Sequence, residues 1–175
     1  IHGNHEIRPA NIPTYKTKEW NGGMVWYEEE YPNILFAKDG EIFEMDGMSH
    51  LVIGGAYSVD KYYRIARHYG WWPDEQPSDE IKAYVEHQLQ GKHIDVILSH
   101  TCPFKYEPVE AFLPMIDQST VDASTEHWLD KIEETADYDA WLCGHWHISK
   151  RIDKLQFMYH DFICSDDLKE RVQNK

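Results

Sequence analysis

The chain is poor in cysteine and in basic side chains. It has three cysteines among 175 residues, too few for a disulfide framework and without the spacing of a structural zinc knuckle, so we expect a reducing cytoplasmic location. Its 17 lysines and arginines are outnumbered by 31 aspartates and glutamates, which gives a net charge of −14. That charge argues against nonspecific binding to nucleic acid, because such binding depends on clustered basic side chains.

Long hydrophobic runs are also missing. No segment approaches the ~18 to 20 consecutive apolar residues of a membrane helix, so we expect a soluble chain without a membrane partner. The first residues lack the basic and apolar segments of a secretion signal. At 175 residues and 42% hydrophobic content, the chain is large and apolar enough for one folded domain over residues 1–175. Residues 165–175 are polar and are expected to form a tail, either a short helix or frayed.

Histidine is abundant, and three short motifs contain the informative ones. Residues 3–6 have the sequence Gly-Asn-His-Glu, residues 99–100 Ser-His, and residues 144–147 Gly-His-Trp-His. Neutral imidazole is a common ligand of zinc-like and iron-like ions, and in an extended chain His145 and His147 would point to the same side. These motifs predict a hydrolytic metal site. The histidines without a partner at ligand spacing are expected to be ordinary surface or core residues: His50, His68, His87, His93, His127 and His160.

Strands and helices alternate along the predicted fold. Residues 34–36 predict a short strand, and residues 41–45 and 49–53 flank Asp46-Gly47, a strong hairpin signal. Apolar runs at 94–98, 138–143 and 155–162 predict buried strands. We therefore expect an α/β fold.

Two helices are predicted between these strands. The first begins after Ser78, a favourable N-cap, and places these residues on one face: Ile81, Tyr84, Val85 and Leu89. The second covers residues 121–134 and turns these side chains inward: Val121, Thr125, Trp128, Leu129 and Ile132. His100 and His145 each follow a predicted strand. Ligands of α/β sheets collect at the carboxyl ends of strands, so we expect these two histidines to lie close together.

The three histidine motifs, in this order, resemble the last three motifs of the calcineurin-like metallophosphoesterases. Residues 53–61, with Trp71-Trp72-Pro73 after them, are also similar to small bacterial members of that family. The resemblance spans nearly the whole chain. It implies a four-layer α/β/β/α sandwich with two divalent metal ions, for which Mn, Fe, Zn and Ni all remain open.

The same resemblance implies a role for each motif residue. Asn4, His100 and His145 would hold one metal, and His147 would help to hold the other. His5 would contact the substrate phosphate and assist the leaving group. The implied reaction is hydrolysis of a phosphate mono- or diester by a metal-activated hydroxide, on a phosphorylated small molecule or a phosphoprotein. Arg64 is a further candidate for binding the phosphate, since basic side chains pair well with that anion.

The chain departs from the family pattern at its start. The family begins with Asp-x-His and Gly-Asp-x-x-Asp motifs, which supply the carboxylate that bridges both metals, and neither occurs here. We therefore expect that this chain is the carboxyl-terminal part of a longer polypeptide and that it is weakly active or inactive by itself. Missing amino-terminal strands would leave an exposed sheet edge, which favours a homo-oligomer. The alternative is a non-catalytic metal-binding or protein-interaction module on the same fold.

Overall fold

The computed structural model describes residues 1–173. They form four α-helices and nine strands, and the strands are arranged in two β-sheets. The strands are β1 (Tyr15–Trp20), β2 (Gly23–Glu28), β3 (Tyr31–Ala37), β4 (Ile42–Met45), β5 (Met48–Ile53), β6 (His93–Ser99), β7 (Asp137–Cys143), β8 (Lys150–Ile152) and β9 (Leu155–Phe157). The helices are α1 (Lys61–Ala66), α2 (Asp79–Leu89), α3 (Ser124–Thr135) and α4 (Ser165–Gln173). The predicted α/β fold class is confirmed.

The larger sheet places the ends of its central strands side by side. Its order is β4-β5-β6-β7-β9-β8, and β5, β6, β7 and β9 run parallel. The predicted hairpin joins β4 to β5, with Asp46 and Gly47 both at positive φ. The smaller sheet, β1-β2-β3, is antiparallel. Because β5, β6 and β7 are parallel, the loops that follow them converge at one edge of the sheet.

Both faces of the larger sheet are covered. On one face, Val85 of α2 and Leu129 of α3 belong to the same core cluster as Ile97 and Trp141 of the sheet. On the opposite face, α4 packs its buried side chains against the centre of the sheet. The smaller sheet packs against the larger one where Val25 of β2 shares a core cluster with Phe43 of β4 and Val52 of β5. The sheet therefore forms a rigid support for the loops at its edge.

Some predicted boundaries differ from the structure. Helix α3 begins at Ser124, because the Asp122 carboxylate accepts the Ser124 backbone N–H; the prediction that Val121 faces inward from this helix is therefore wrong. The last predicted strand ends early, at Phe157, and the chain then turns so that Tyr159 stacks on His147. Tyr84 is 39% exposed, although it was expected on the apolar face of α2.

Four elements were not predicted: strands β1, β2 and β8 and helix α1. The β1–β2 hairpin turns at Asn21-Gly22, which has positive φ at both residues and is a hairpin signal as strong as Asp46-Gly47. Helix α1 is short and was also missed. The polar tail forms α4 as far as Gln173, whereas residues 174–175 lie outside the described part of the chain. None of the helices within residues 1–173 combines the length and apolar character needed to cross a membrane.

Candidate metal centre

The loops after β5, β6 and β7 are tied together by backbone hydrogen bonds. The His100 N–H donates to the carbonyl of Ile53 at 2.9 Å, and the Gly144 N–H donates to the carbonyl of His100 at 3.0 Å. These bonds continue the parallel pairing beyond the last residues of the strands. His100 and His145 therefore emerge next to each other, as expected from the strand order.

The Asn4 side chain is buried and fixed in orientation. Its Nδ2 donates to Ser58 Oγ at 2.9 Å, and its Oδ1 lies 2.9 Å from His100 Nε2. Ser58 is held in turn by the Glu75 carboxylate, which accepts the Ser58 backbone N–H at 3.1 Å. The amide oxygen of Asn4 thus points toward the histidines.

His100 and His145 form a close pair, with ring centroids 5.1 Å apart. Burial, followed by the nearby His145, lowers the pKa of His100 to about 3. Burial, followed by the nearby His147, lowers the pKa of His145 to about 4. Both imidazoles are therefore neutral at pH 7, which is the form that binds a metal ion.

The histidines of the Gly-His-Trp-His motif do not lie on an extended strand. His145 and His147 have φ values of 65° and 53°, in the left-handed region, so the expectation that alternation along a strand brings them together is wrong. His147 is exposed and stacks on Tyr159 with a centroid distance of 5.0 Å. Both histidines nevertheless line the same cavity.

His5 is far from this motif in the sequence but lines the same cavity. Its Nε2 is 3.4 Å from a carboxylate oxygen of Asp60, and its side chain is 59% exposed. Asp60 immediately precedes α1, so the missed helix helps to position this pair.

One cavity of about 950 Å³ contains the predicted metal-binding and catalytic side chains. Those that line it are Asn4, His5, His100, His145 and His147. Arg64, the predicted phosphate ligand, is not part of this lining. Its side chain is buried, and its guanidinium lies 6.0 Å from the centroid of the Trp72 ring.

The atoms around Asn4 fit one divalent cation. Neighbouring ligands of an octahedral ion with bonds of about 2.1 Å lie about 3.0 Å apart, close to the separation of Asn4 Oδ1 and His100 Nε2. His145 adds a second imidazole beside His100. For a second cation, His147 is the candidate ligand that the predicted set offers.

A more compact group of possible metal ligands lies elsewhere. Atoms of His93, Asp95 and Asp139 all fall within 4.8 Å of one another, which would allow them to hold a metal ion. His93 begins β6, whereas His100 follows its other end, so the two places are about 20 Å apart along the strand. In this group, His93 Nε2 lies 3.0 Å from Asp139 and Asp95 accepts two hydrogen bonds from Ser49.

A comparison with protein families shows to which family the chain belongs. The calcineurin-like phosphoesterase family matches residues 1–149. The chain belongs to this family. Members generally bind divalent metal ions, in agreement with the lining of the cavity. No curated protein and no solved structure matches the chain.

Sequence reasoning missed several residues of the site. Ser58 and Glu75, which hold Asn4, lie 54 and 71 positions away from it. Ser58 lies within the family-like segment 53–61, but nothing in that segment assigns it this role. Glu107 and Glu126 also line the cavity. Glu126 is a charged residue of α3, and no pattern in the sequence around it predicts that its side chain is buried.

Proposed function

We propose that this calcineurin-like phosphoesterase is a metal-dependent hydrolase of phosphate mono- or diesters. The supporting observation is the contact between Asn4 Oδ1 and His100 Nε2, beside His145, in the wall of a large cavity. An amide oxygen and two neutral imidazoles form a ligand set suited to Mn, Fe, Zn or Ni.

Each residue of this set has a defined task. Asn4, His100 and His145 would hold one cation, and His147 would help to hold another. Such cations, when bound, supply Lewis acidity toward phosphate oxygens and lower the pKa of a coordinated water. Ser58 keeps the Asn4 oxygen directed at the site by accepting a hydrogen bond from its Nδ2.

His5 is suited to proton transfer at the leaving group. Its ring is partly exposed in the cavity, and Asp60 orients it through the 3.4 Å contact with Nε2. An imidazole at this place can give a proton to the departing oxygen of the ester.

Turnover of chromogenic esters tests the proposal. The protein, expressed from its complete coding sequence, would be incubated with p-nitrophenyl phosphate or bis(p-nitrophenyl) phosphate and with Mn²⁺, Fe²⁺, Ni²⁺ or Zn²⁺. We expect metal-dependent release of nitrophenol, and a loss of about 100-fold or more in Asn4→Ala and His100→Ala, because even supporting contacts of metal ligands are worth 10–100-fold. His87→Ala is the matched control, since His87 is exposed on α2. Absence of turnover with all four metals would contradict the proposal.

The number of metal ions bound per chain distinguishes the two candidate metal sites, which are the cavity with His100 and the group around His93. We expect His100→Ala to reduce the number of bound ions per chain, and His93→Ala to leave the ions of the cavity in place. Loss of all bound metal in His93→Ala, with full metal content in His100→Ala, would assign the ions to the His93 group and argue against the proposed reaction centre.

A further inference from the structure

The cavity that contains the histidines is lined by acidic side chains but by no lysine or arginine within the described chain. Four carboxyl groups line it. Two of the four are engaged: Glu6 accepts the Gly3 N–H, and Asp60 faces His5. The other two, Glu107 and Glu126, form what we call the acidic wall.

Glu126 is buried without a complete set of partners. It is 4% exposed, and its Oε2 has no hydrogen-bond partner among the described residues. The Thr101 side chain lies beside this carboxyl group and contacts it. Buried polar atoms are normally paired, since an unpaired one costs about 1–3 kcal/mol. The unpaired Glu126 oxygen in the cavity wall therefore indicates a place for a ligand.

The electrostatics of the acidic wall favour a positive ligand. Burial raises the pKa of Glu126 to about 7. Burial, followed by the negative charge of Glu126, raises the pKa of Glu107 to about 7. Both carboxylates are thus poorly solvated and repel each other, and a cation placed between them would relieve both effects.

Aromatic rings complete the surroundings. Phe112 and Trp146 line the same cavity and stack with their centroids 5.6 Å apart. Aromatic faces attract ammonium groups, and most strongly where water is excluded. An apolar wall with carboxylates therefore favours an organic cation over a hydrated metal ion.

We propose that the acidic wall binds a positively charged nitrogen on the alcohol portion of the substrate, so that the ester is that of an ammonium-bearing alcohol. This inference rests on the proposed phosphoesterase function. The anionic phosphate would lie beside the metal ion that Asn4, His100 and His145 would hold, and the ammonium group would lie at Glu107 and Glu126. The cavity would thus recognise both charges of a zwitterionic ester.

Two esters that differ in one atom test this inference. They are 4-nitrophenyl phosphorylcholine and its neutral carbon isostere, 4-nitrophenyl 3,3-dimethylbutyl phosphate. We expect kcat/KM to favour the cationic ester about tenfold or more, because the carboxylates and the aromatic faces attract the ammonium charge. Glu126→Gln should bring the ratio of the two kcat/KM values close to one. Glu134→Gln, an exposed change on the same helix, should keep the original ratio.

Equal kcat/KM values for the two esters in the unaltered protein would overturn the inference. So would a ratio that survives in the Glu107→Gln, Glu126→Gln double variant. Preference for 4-nitrophenyl thymidine 5′-phosphate over both esters, lost in Glu126→Gln, would also overturn it, because the wall would then recognise a nucleobase.

A binding measurement separates this inference from the proposed function. Calorimetric titration with benzyltrimethylammonium chloride requires no turnover. Binding that weakens about tenfold in Glu126→Gln but not in Glu134→Gln, without hydrolysis of any ester, would support the acidic wall and contradict the phosphoesterase. Hydrolysis without binding or charge preference would support the phosphoesterase and contradict the acidic wall.

Discussion

Single residues of the centre adopt conformations that cost energy. His145 and His147 both have left-handed φ values, although neither is glycine, and such a backbone costs about 1–2 kcal/mol per residue. The surrounding structure compensates: Gly144 donates to the His100 carbonyl, and Tyr159 stacks on His147. Strained residues of this kind cluster at functional sites, and here they direct two imidazoles into one cavity.

The ionisation of a single residue, Glu126, makes the stability of the protein depend on pH. Its pKa in the folded protein is about 7, above the ordinary value of 4.5. Between these values the unfolded chain has released a proton that the folded chain keeps, so the free energy of unfolding falls as pH rises. We expect Glu126→Gln to remove this dependence on pH. Compared with the unaltered protein, the free energy of unfolding of the variant should then be higher by up to about 3 kcal/mol more at pH 8 than at pH 5.

Urea denaturation of the metal-free protein at both pH values measures this difference. Glu134→Gln serves as the control, because Glu134 is exposed on the same helix. An equal effect of Glu126→Gln at pH 5 and pH 8 would contradict the assigned titration. A stable Glu126→Gln protein would also show that its loss of cation preference is not caused by unfolding.

At the scale of elements, the junction between β5 and α1 supports the centre. Gly55 has a φ of +88°, and a Cβ there would lie 2.3 Å from the Glu75 carbonyl oxygen. Glu75 accepts the Ser58 N–H, and Ser58 accepts the Asn4 amide. The lack of a side chain at Gly55 thus allows Glu75 to come close, and Glu75 holds Ser58, which in turn holds the predicted metal ligand Asn4.

Two glycine substitutions separate backbone strain from collision. We expect Gly47→Ala to lower the free energy of unfolding by about 1–2 kcal/mol, since its φ is +76° but no atom lies within 4 Å of the added Cβ. Gly55→Ala combines the same strain with the collision, so we expect a larger loss or a failure to fold. Thermal unfolding of both variants measures the difference, and equal losses would show that the Glu75 carbonyl can move away without cost.

For the whole molecule, α4 supports the sheet from the side opposite α2 and α3. Leu168 is 5% exposed and belongs to a core cluster with Val96 and Ala140. We expect Leu168→Ala to cost about 2–5 kcal/mol, because a buried leucine leaves a cavity. Glu170→Ala, an exposed change on the same helix, should stay within about 0.5 kcal/mol. Chemical denaturation measures both, and a Leu168→Ala loss below 1 kcal/mol would mean that α4 contributes little to the fold.

The sequence by itself determined the features that depend on local chemistry. Asp46-Gly47 predicted its hairpin because both residues tolerate positive φ, and the apolar runs predicted β6 and β7 because buried parallel strands need such residues. The motif residues His100 and His145 followed those strands, and this placed them at one edge. The same approach failed at the start of α3, where a single side chain, Asp122, fixes the boundary.

The tertiary structure alone decided which distant groups meet and which polar atoms lose water. Asn4 is held by Ser58, 54 residues away, and nothing in either segment specifies the contact. Glu126 looks like an ordinary polar helix residue until folding buries it, and His93 looks like a lone histidine until β6 and β7 pair. Burial and charge proximity are properties of the packed molecule, because they depend on neighbours that only the fold supplies.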